Sequence, residues 1–234
     1  MSDKIKVFKN PSELAEKLAE EFIHYVDNKS TLNIALAGGS TPKLLYETLA
    51  KHSNEIDWSK IHFYWGDERC VSPDHSDSNY LMTKTALLDY IDTPTENIHR
   101  LLGEDVPENE ARRYDNEIKS NIPSLKFDWI FLGLGTDGHT ASLFPNTENL
   151  KNTTDLCVVA EHPESGQNRI SFTFSILEKA DRISFLVTGS NKKDVIHKIL
   201  VDKIVSDEYP VSLLFNKRKD IEWWTDENAV SGLS

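Results

Sequence analysis

The sequence predicts an α/β fold, with a mostly parallel sheet flanked by helices in one domain spanning residues 1–234. Three observations carry this expectation. Strand-like and helix-like segments alternate along almost the whole chain, the pattern of strands joined by helical crossovers. Residues 127–134 form a nearly continuous apolar run, as expected of a strand buried on both faces of a parallel sheet. No internal repeat, low-complexity tract or linker interrupts the 234 residues, a length that a single α/β unit often reaches.

Each element has a local cause. Asn10 is placed as a helix cap, Pro11 suits the first turn, and Glu13 is spaced for a capping box. Leu14, Leu18, Phe22 and Val26 then fall on one helical face. Residues 32–37 read as a strand ending in Gly38-Gly39, and Pro42 begins a helix running to about Ala50. Residues 61–65 form a second strand, followed by a polar loop to about Ser78 and a helix from there. A helix over 107–120 precedes the apolar strand. Residues 169–174 and 182–187 read as two more strands, 191–200 as a helix and 221–225 as a short final strand.

Composition narrows the function classes. Hydrophobic residues make up 38% and charged residues 27%, which reads as a soluble globular chain. The apolar runs are too short to span a bilayer, and the start of the chain has no apolar h-region, so neither a membrane partner nor a secretory signal is expected. Two cysteines, Cys70 and Cys157, are too few for a disulfide framework or a thiolate zinc site, and fit reduced thiols in the cytoplasm. A net charge of -12 argues against nucleic acid, which needs a basic face. It does not exclude an anionic small molecule, because salt screens the global field beyond about 8 Å and a few local cations can dominate a site.

Four segments are candidates for chemistry. In Gly38-Gly39-Ser40-Thr41-Pro42 a strand feeds a glycine turn and a helix start. Glycines admit close backbone approach, and free N–H groups with the positive dipole end attract phosphate. Without a ligand, the same pattern is an ordinary capped turn. In Trp65-Gly66-Asp67-Glu68-Arg69, Arg69 lies beyond a strand end and can fork onto a phosphate or carboxylate, with Asp67 and Glu68 placed to hold it. A metal reading of Asp67, Asp74, His75 and Asp77 is poorly spaced. The third segment, Gly133 to Pro145, follows the most apolar strand. Its Asp137 and His139, two apart in a glycine-rich turn, suit a carboxylate orienting an imidazole general base. Arg169 and Lys192, at a strand end and a glycine turn, are cations that can complete an anion site.

These four blocks, in this order and over nearly the whole chain, resemble the 6-phosphogluconolactonase family. That family carries a Gly-Gly-Ser-Thr-Pro loop, a Trp-x-Asp-Glu-Arg segment, a Gly-x-Gly-x-Asp-Gly-His-x-Ala-Ser-x-Phe-Pro block, an Arg-Ile strand and a Thr-Gly-x-x-Lys turn. Asn168 departs from it, since the family usually has proline there. The resemblance implies a Rossmann-like fold, as in glucosamine-6-phosphate deaminase. It also implies hydrolysis of 6-phosphoglucono-1,5-lactone in the pentose phosphate pathway, without metal or organic cofactor. It assigns catalysis to His139 and Asp137, and binding of the phosphorylated sugar lactone to Gly38, Gly39, Ser40, Thr41, Arg69, Arg169 and Lys192. The related deaminase has Asn-Glu-Pro after its histidine, where this chain has Leu143-Phe144-Pro145, and Asp-Glu-Tyr where this chain has Asp67-Glu68-Arg69. Both differences favour the lactonase over a ring-opening deaminase. A non-catalytic sugar-phosphate sensor would need a DNA-binding module or loss of His139. No helix carries a sustained heptad, and a monomer or weak homo-oligomer is expected.

Overall fold

The computed structural model describes residues 4–233; Met1–Asp3, the first part of the segment read above for a signal, lie outside them. In chain order the main elements are β1 (Ile5–Phe8), α1 (Pro11–Asp27), β2 (Leu32–Leu36), α2 (Ser40–Lys51), β3 (Ile61–Trp65), β4 (Asp67–Arg69), α3 (Asn79–Ala86), β5 (Ile98–His99) and α4 (Pro107–Asn121). They continue with β6 (Trp129–Leu132), β7 (Cys157–Glu161), β8 (Asn168–Phe172), α5 (Phe174–Leu177), β9 (Ile183–Val187), α6 (Lys193–Leu200), α7 (Pro210–Lys217) and β10 (Glu222–Asp226).

Seven strands build one sheet in the order β1-β10-β9-β6-β2-β3-β5, with every neighbouring pair parallel. A second sheet, β4-β8-β7, is antiparallel. In the large sheet the order reverses between β6 and β2. From β2 the chain adds β3 and β5 outward on one side; from β6 it adds β9 and β10 on the other. Such a reversal opens a crevice beyond the carboxyl ends of the two strands, where ligands of open α/β sheets bind.

The apolar run is β6, all four residues of which are buried, as are all five of β9. The face of α1 formed by Leu14, Leu18, Phe22 and Val26 is buried, and the Phe22 ring lies 5.9 Å from that of Trp129 and 6.2 Å from that of Phe131. Asn10 accepts the Glu13 N–H at 3.0 Å, while the Glu13 carboxylate reaches back to the Lys9 N–H at 2.8 Å.

Several boundaries differ from expectation, each for a physical reason. Helix α2 starts at Ser40, two residues before Pro42. The cap is Gly39, and proline is harmless at the third helical position because an N–H there would find no intrahelical acceptor. Strand β8 stops at Phe172, because the chain turns into α5 after Thr173. Strands β1, β5 and β7 and helix α7 have no counterpart in the sequence reading. β5 has two residues, too few for any periodicity, and β1 pairs on one side only, at the sheet edge. Strand β4 is the tripeptide Asp-Glu-Arg, a composition that argues against a strand; pairing with β8 makes it one.

Candidate active site

Strands β2, β6 and β9 are neighbours, all parallel, so the loops that follow them emerge at one edge of the sheet. With the end of β4 and the start of β8 they enclose a cavity of about 370 Å³. Its lining includes Gly38, Gly39, Ser40, Thr41, Arg69, His139, Arg169 and Lys192. Every residue expected at the site therefore borders one cavity, except Asp137, which stands directly behind His139.

The loop after β2 is built for an anion. The Lys43 N–H bonds the Gly39 carbonyl at 3.0 Å, closing the first turn of α2. The N–H groups of Gly39, Ser40 and Thr41 have no acceptor within the helix, and Pro42 brings none to satisfy. The loop is held from both sides. The Tyr46 hydroxyl bridges Ala37, accepting its N–H at 3.0 Å and donating to its carbonyl at 2.9 Å. The Thr41 and Thr188 hydroxyls meet at 2.8 Å, joining the loops after β2 and β9. Glycine is required at residue 38, where a Cβ would fall 2.0 Å from Asn79 Oδ1.

The turn after β6 folds back on itself, the condition under which Asp137 can orient His139. The Gly135 N–H donates to the His139 carbonyl at 2.8 Å, and the Gly138 N–H to the Gly135 carbonyl at 3.0 Å. This brings His139 Nδ1 to 2.6 Å from Asp137 Oδ1. The pair lies across Gly135: a Cβ there would sit 2.2 Å from Nδ1 and 2.4 Å from Oδ1. Burial pushes the Asp137 carboxyl up, but the hydrogen bond and charge of His139 outweigh it, leaving the acid below its ordinary range. An ionised Asp137 accepts a proton-bearing Nδ1, which leaves Nε2 as the basic nitrogen. The buried Phe144 ring packs 5.0 Å from the His139 ring, so no carboxylate stands there.

Two of the cations come from the small sheet. Arg69 and Arg169 are direct register partners across β4 and β8. Like charges directly opposite destabilise a strand pair. Burial first, and then the charge of Arg69, lower the Arg169 pKa. The Nε atoms of both are buried without a hydrogen-bond partner among the described residues. Arg69 spends one N–H on the Asp77 carbonyl, and the Arg169 guanidinium lies over the Phe144 ring at 5.7 Å. Lys192 is half-buried at the opposite side, on the turn after β9. Asp226 fixes that turn by accepting the Gly189 N–H at 2.9 Å. Two like-charged guanidiniums and a lysine around free helix N–H groups make a site for a multiply charged anion.

One expectation fails. Glu68 and Asp67 do not hold the Arg69 guanidinium. The buried Glu68 carboxylate accepts the main-chain N–H groups of Arg69, Asn79 and Tyr80 at 2.7–2.8 Å and the Ser78 hydroxyl at 3.0 Å, so it caps α3. Asp67 turns away toward Ser142, whose hydroxyl it accepts at 2.7 Å, and Asp74 is taken by Ser72. The acids and histidine weighed for a metal thus do not converge, and no group of three such side chains among the described residues could hold one. Sequence reasoning missed Asn79, Thr188 and Asn191, which also line the cavity. Asn79 had a signal, a helix start directly after Ser78; the other two sat unread within the Thr-Gly-Ser-Asn-Lys turn.

Comparison with known proteins bears on the family and the fold. Residues 9–223 match the family model described as glucosamine-6-phosphate isomerases/6-phosphogluconolactonase. A 6-phosphogluconolactonase of Haemophilus influenzae is 44% identical over 225 residues, covering 95% of this chain and 97% of the relative. The crystal structure of a devB protein superposes with a TM-score of 0.92 at 39% identity, covering 99% of both chains. The 6-phosphogluconolactonase of Trypanosoma brucei superposes with a TM-score of 0.85 at 27% identity, covering 99% of this chain and 98% of that one.

Proposed function

Because the chain belongs to the glucosamine-6-phosphate isomerase/6-phosphogluconolactonase family, we propose that it hydrolyses 6-phosphoglucono-1,5-lactone to 6-phosphogluconate, with His139 as general base. One observation carries the assignment of roles: the imidazole and the anion cradle face a single cavity at the switch point of the sheet.

The 6-phosphate is held by the N–H groups and hydroxyls of Gly38, Gly39, Ser40 and Thr41 with Arg169 and Lys192, and Arg69 binds phosphate or the carboxyl end. His139 Nε2 takes a proton from water as its oxygen attacks C1 of the lactone. Asp137 keeps Nδ1 protonated and stabilises the imidazolium that forms. The tetrahedral oxyanion is met by donors of the glycine turn or a neighbouring cation. On collapse the C1–O5 bond breaks, and O5 recovers the proton from His139 as it becomes a hydroxyl. A ring ester is already reactive, so one base with positioning is enough, and no step calls for a cofactor. Every group named comes from one chain, which supports work as a monomer or weak homo-oligomer. No helix among the described residues is long and apolar enough to cross a membrane, and both cysteines are free, which supports a cytoplasmic setting.

The test follows proton release on adding freshly made lactone, with spontaneous opening subtracted. Wild-type protein accelerates it. His139→Ala loses about 10²–10⁴-fold in kcat, the usual share of a general base, while keeping its melting temperature. Near-normal turnover in that variant would remove His139 from the base role. Ammonia release from glucosamine 6-phosphate would favour the deaminase instead.

A further inference from the structure

A chain of buried hydrogen bonds runs along the cavity wall, where Asp67 and Asn79 are themselves lining residues, and touches all four segments that carry the site. The Asn79 carboxamide lies directly against Gly38, in the space a Cβ would need. Its Nδ2 donates to the Asp67 carbonyl at 2.9 Å. Asp67 Oδ2 accepts the Ser142 hydroxyl at 2.7 Å, across 75 residues of sequence. The Ser142 N–H in turn donates to Ser171 Oγ at 3.0 Å, and Ser171 is the register partner of Asp67 between β4 and β8. All four side chains are buried, Asp67 at 7% exposure and the two serines at 0%.

From this we infer that Asp67, Asn79 and Ser142 act as positioning residues: a polar truss that sets the distance between the phosphate loop and the base turn. The inference rests on the lactonase reading and deepens it. A buried carboxylate with no cation at ion-pair distance among the described residues is costly, and an apolar wall would hold the fold as well. An apolar wall would not fix the relative placement of loops. The truss joins the loop after β2, which cradles the phosphate, to Ser142, three residues beyond His139. Two fixed points on one sugar phosphate leave little tolerance, since a misplacement of about 1 Å can cost about a hundredfold in rate.

The experiment compares Ser142→Ala, Asp67→Asn, Asp67→Ala and the double variant Asp67→Ala/Ser142→Ala under steady-state conditions. Wild-type activity is established first; a wild type that does not accelerate lactone opening sinks the lactonase reading itself, separately from the truss. With an active wild type, Ser142→Ala lowers kcat about tenfold or more and leaves KM within about twofold, because the cradle is untouched. Asp67→Asn offers an acceptor in the same place and retains most of kcat; Asp67→Ala loses as much as Ser142→Ala, and the double variant loses no more than Asp67→Ala alone. Wild-type kcat in Ser142→Ala overturns the proposal. So does a loss confined to KM, or an Asp67→Asn as damaged as Asp67→Ala, which would show that the charge of Asp67 acts directly. If Ser142→Ala does not fold, the pair of Asp67 variants decides alone.

Discussion

The two walls of the cavity are built on opposite plans. The wall at the carboxyl ends of β2, β6 and β9 is made of short-range structure. Its groups are backbone N–H donors and an imidazole, tied mainly by nearby residues, as His139 is to Asp137 and Gly135, with the Thr41–Thr188 hydroxyl contact as a long-range brace. The wall made by β4 and β8 is long-range. Its two guanidiniums are about a hundred residues apart in sequence, face each other across a strand pair, and keep buried Nε atoms unpaired. The first wall is at rest without ligand. The second sets two like charges opposite each other, which the charges of Asp67, Asp77 and Glu68 offset in part and a bound anion would offset further. The difference suggests a division of labour between the base turn after β6, which serves chemistry, and the arginine wall, which serves affinity together with the loop after β2, and substitutions in the base turn and on the arginine wall should separate along those lines.

The largest effect is expected in the base turn. In Gly135→Ala the new Cβ would overlap both His139 Nδ1 and Asp137 Oδ1, so the pair must part or the turn must open. The imidazole loses its orientation and kcat falls about 10²–10³-fold, approaching loss of the base itself. The phosphate loop follows a different strand, so KM stays within a few-fold. Steady-state kinetics beside a thermal melt check this. A KM effect larger than the kcat effect would mean that the two walls are not independent.

On the arginine wall the expected signature is reversed. Arg169→Met removes one charge-assisted contact to the anion, worth about 1.5–3 kcal/mol. KM then rises about tenfold to a hundredfold, with kcat little changed. The same substitution removes the repulsion facing Arg69. Opposed like charges cost about 0.2–1 kcal/mol, so the ligand-free variant melts about 1–3 °C higher in a chain of this size. Millimolar phosphate narrows the gap by stabilising the wild type more. A variant that binds normally, or that melts lower without ligand, breaks the comparison.

The same contrast decides what could be read before any coordinates. The phosphate loop and the His139 pair were legible because their chemistry lies inside a strand-turn window of a few residues, where glycines, a hydroxyl pair or an acid two places from a histidine carry meaning alone. The parallel sheet was legible from the apolar run that became β6. The arginine wall was legible as residues but not as geometry. Nothing local shows that Asp-Glu-Arg becomes a strand, or that Arg69 meets Arg169, since only pairing with β8 makes β4. Asp67 was misread for the same reason: its partner is Ser142, not the neighbouring arginine. Glu68 was misread because a carboxylate beside an arginine suggests an ion pair, whereas three donors at the start of α3 and the Arg69 main-chain N–H claimed it first.

The smallest expected effect lies on Lys192, on the turn after β9. Burial lowers the pKa of this lysine and the nearby charge of Asp137 only partly restores it. The folded value therefore lies below the ordinary one of about 10.4. The sign follows for both binding and stability. On the proposed reading Lys192 attracts the phosphate while it is protonated and loses that attraction as pH rises through its lowered pKa. In the same alkaline window the unfolded chain holds more protons than the folded one, so the ligand-free protein gains stability from this group as pH rises. The phosphate itself stays dianionic throughout, its second pKa being about 6. Inhibition by 6-phosphogluconate is the practical readout, because the lactone opens too fast in alkali. Its Ki should rise by a few-fold as pH climbs toward the ordinary lysine value, a modest change because the guanidiniums of Arg69 and Arg169 do not titrate there. Lys192→Arg should flatten that rise, since a guanidinium does not titrate in this range. An equally steep rise in Lys192→Arg would assign the titration to another group and place Lys192 outside the phosphate site.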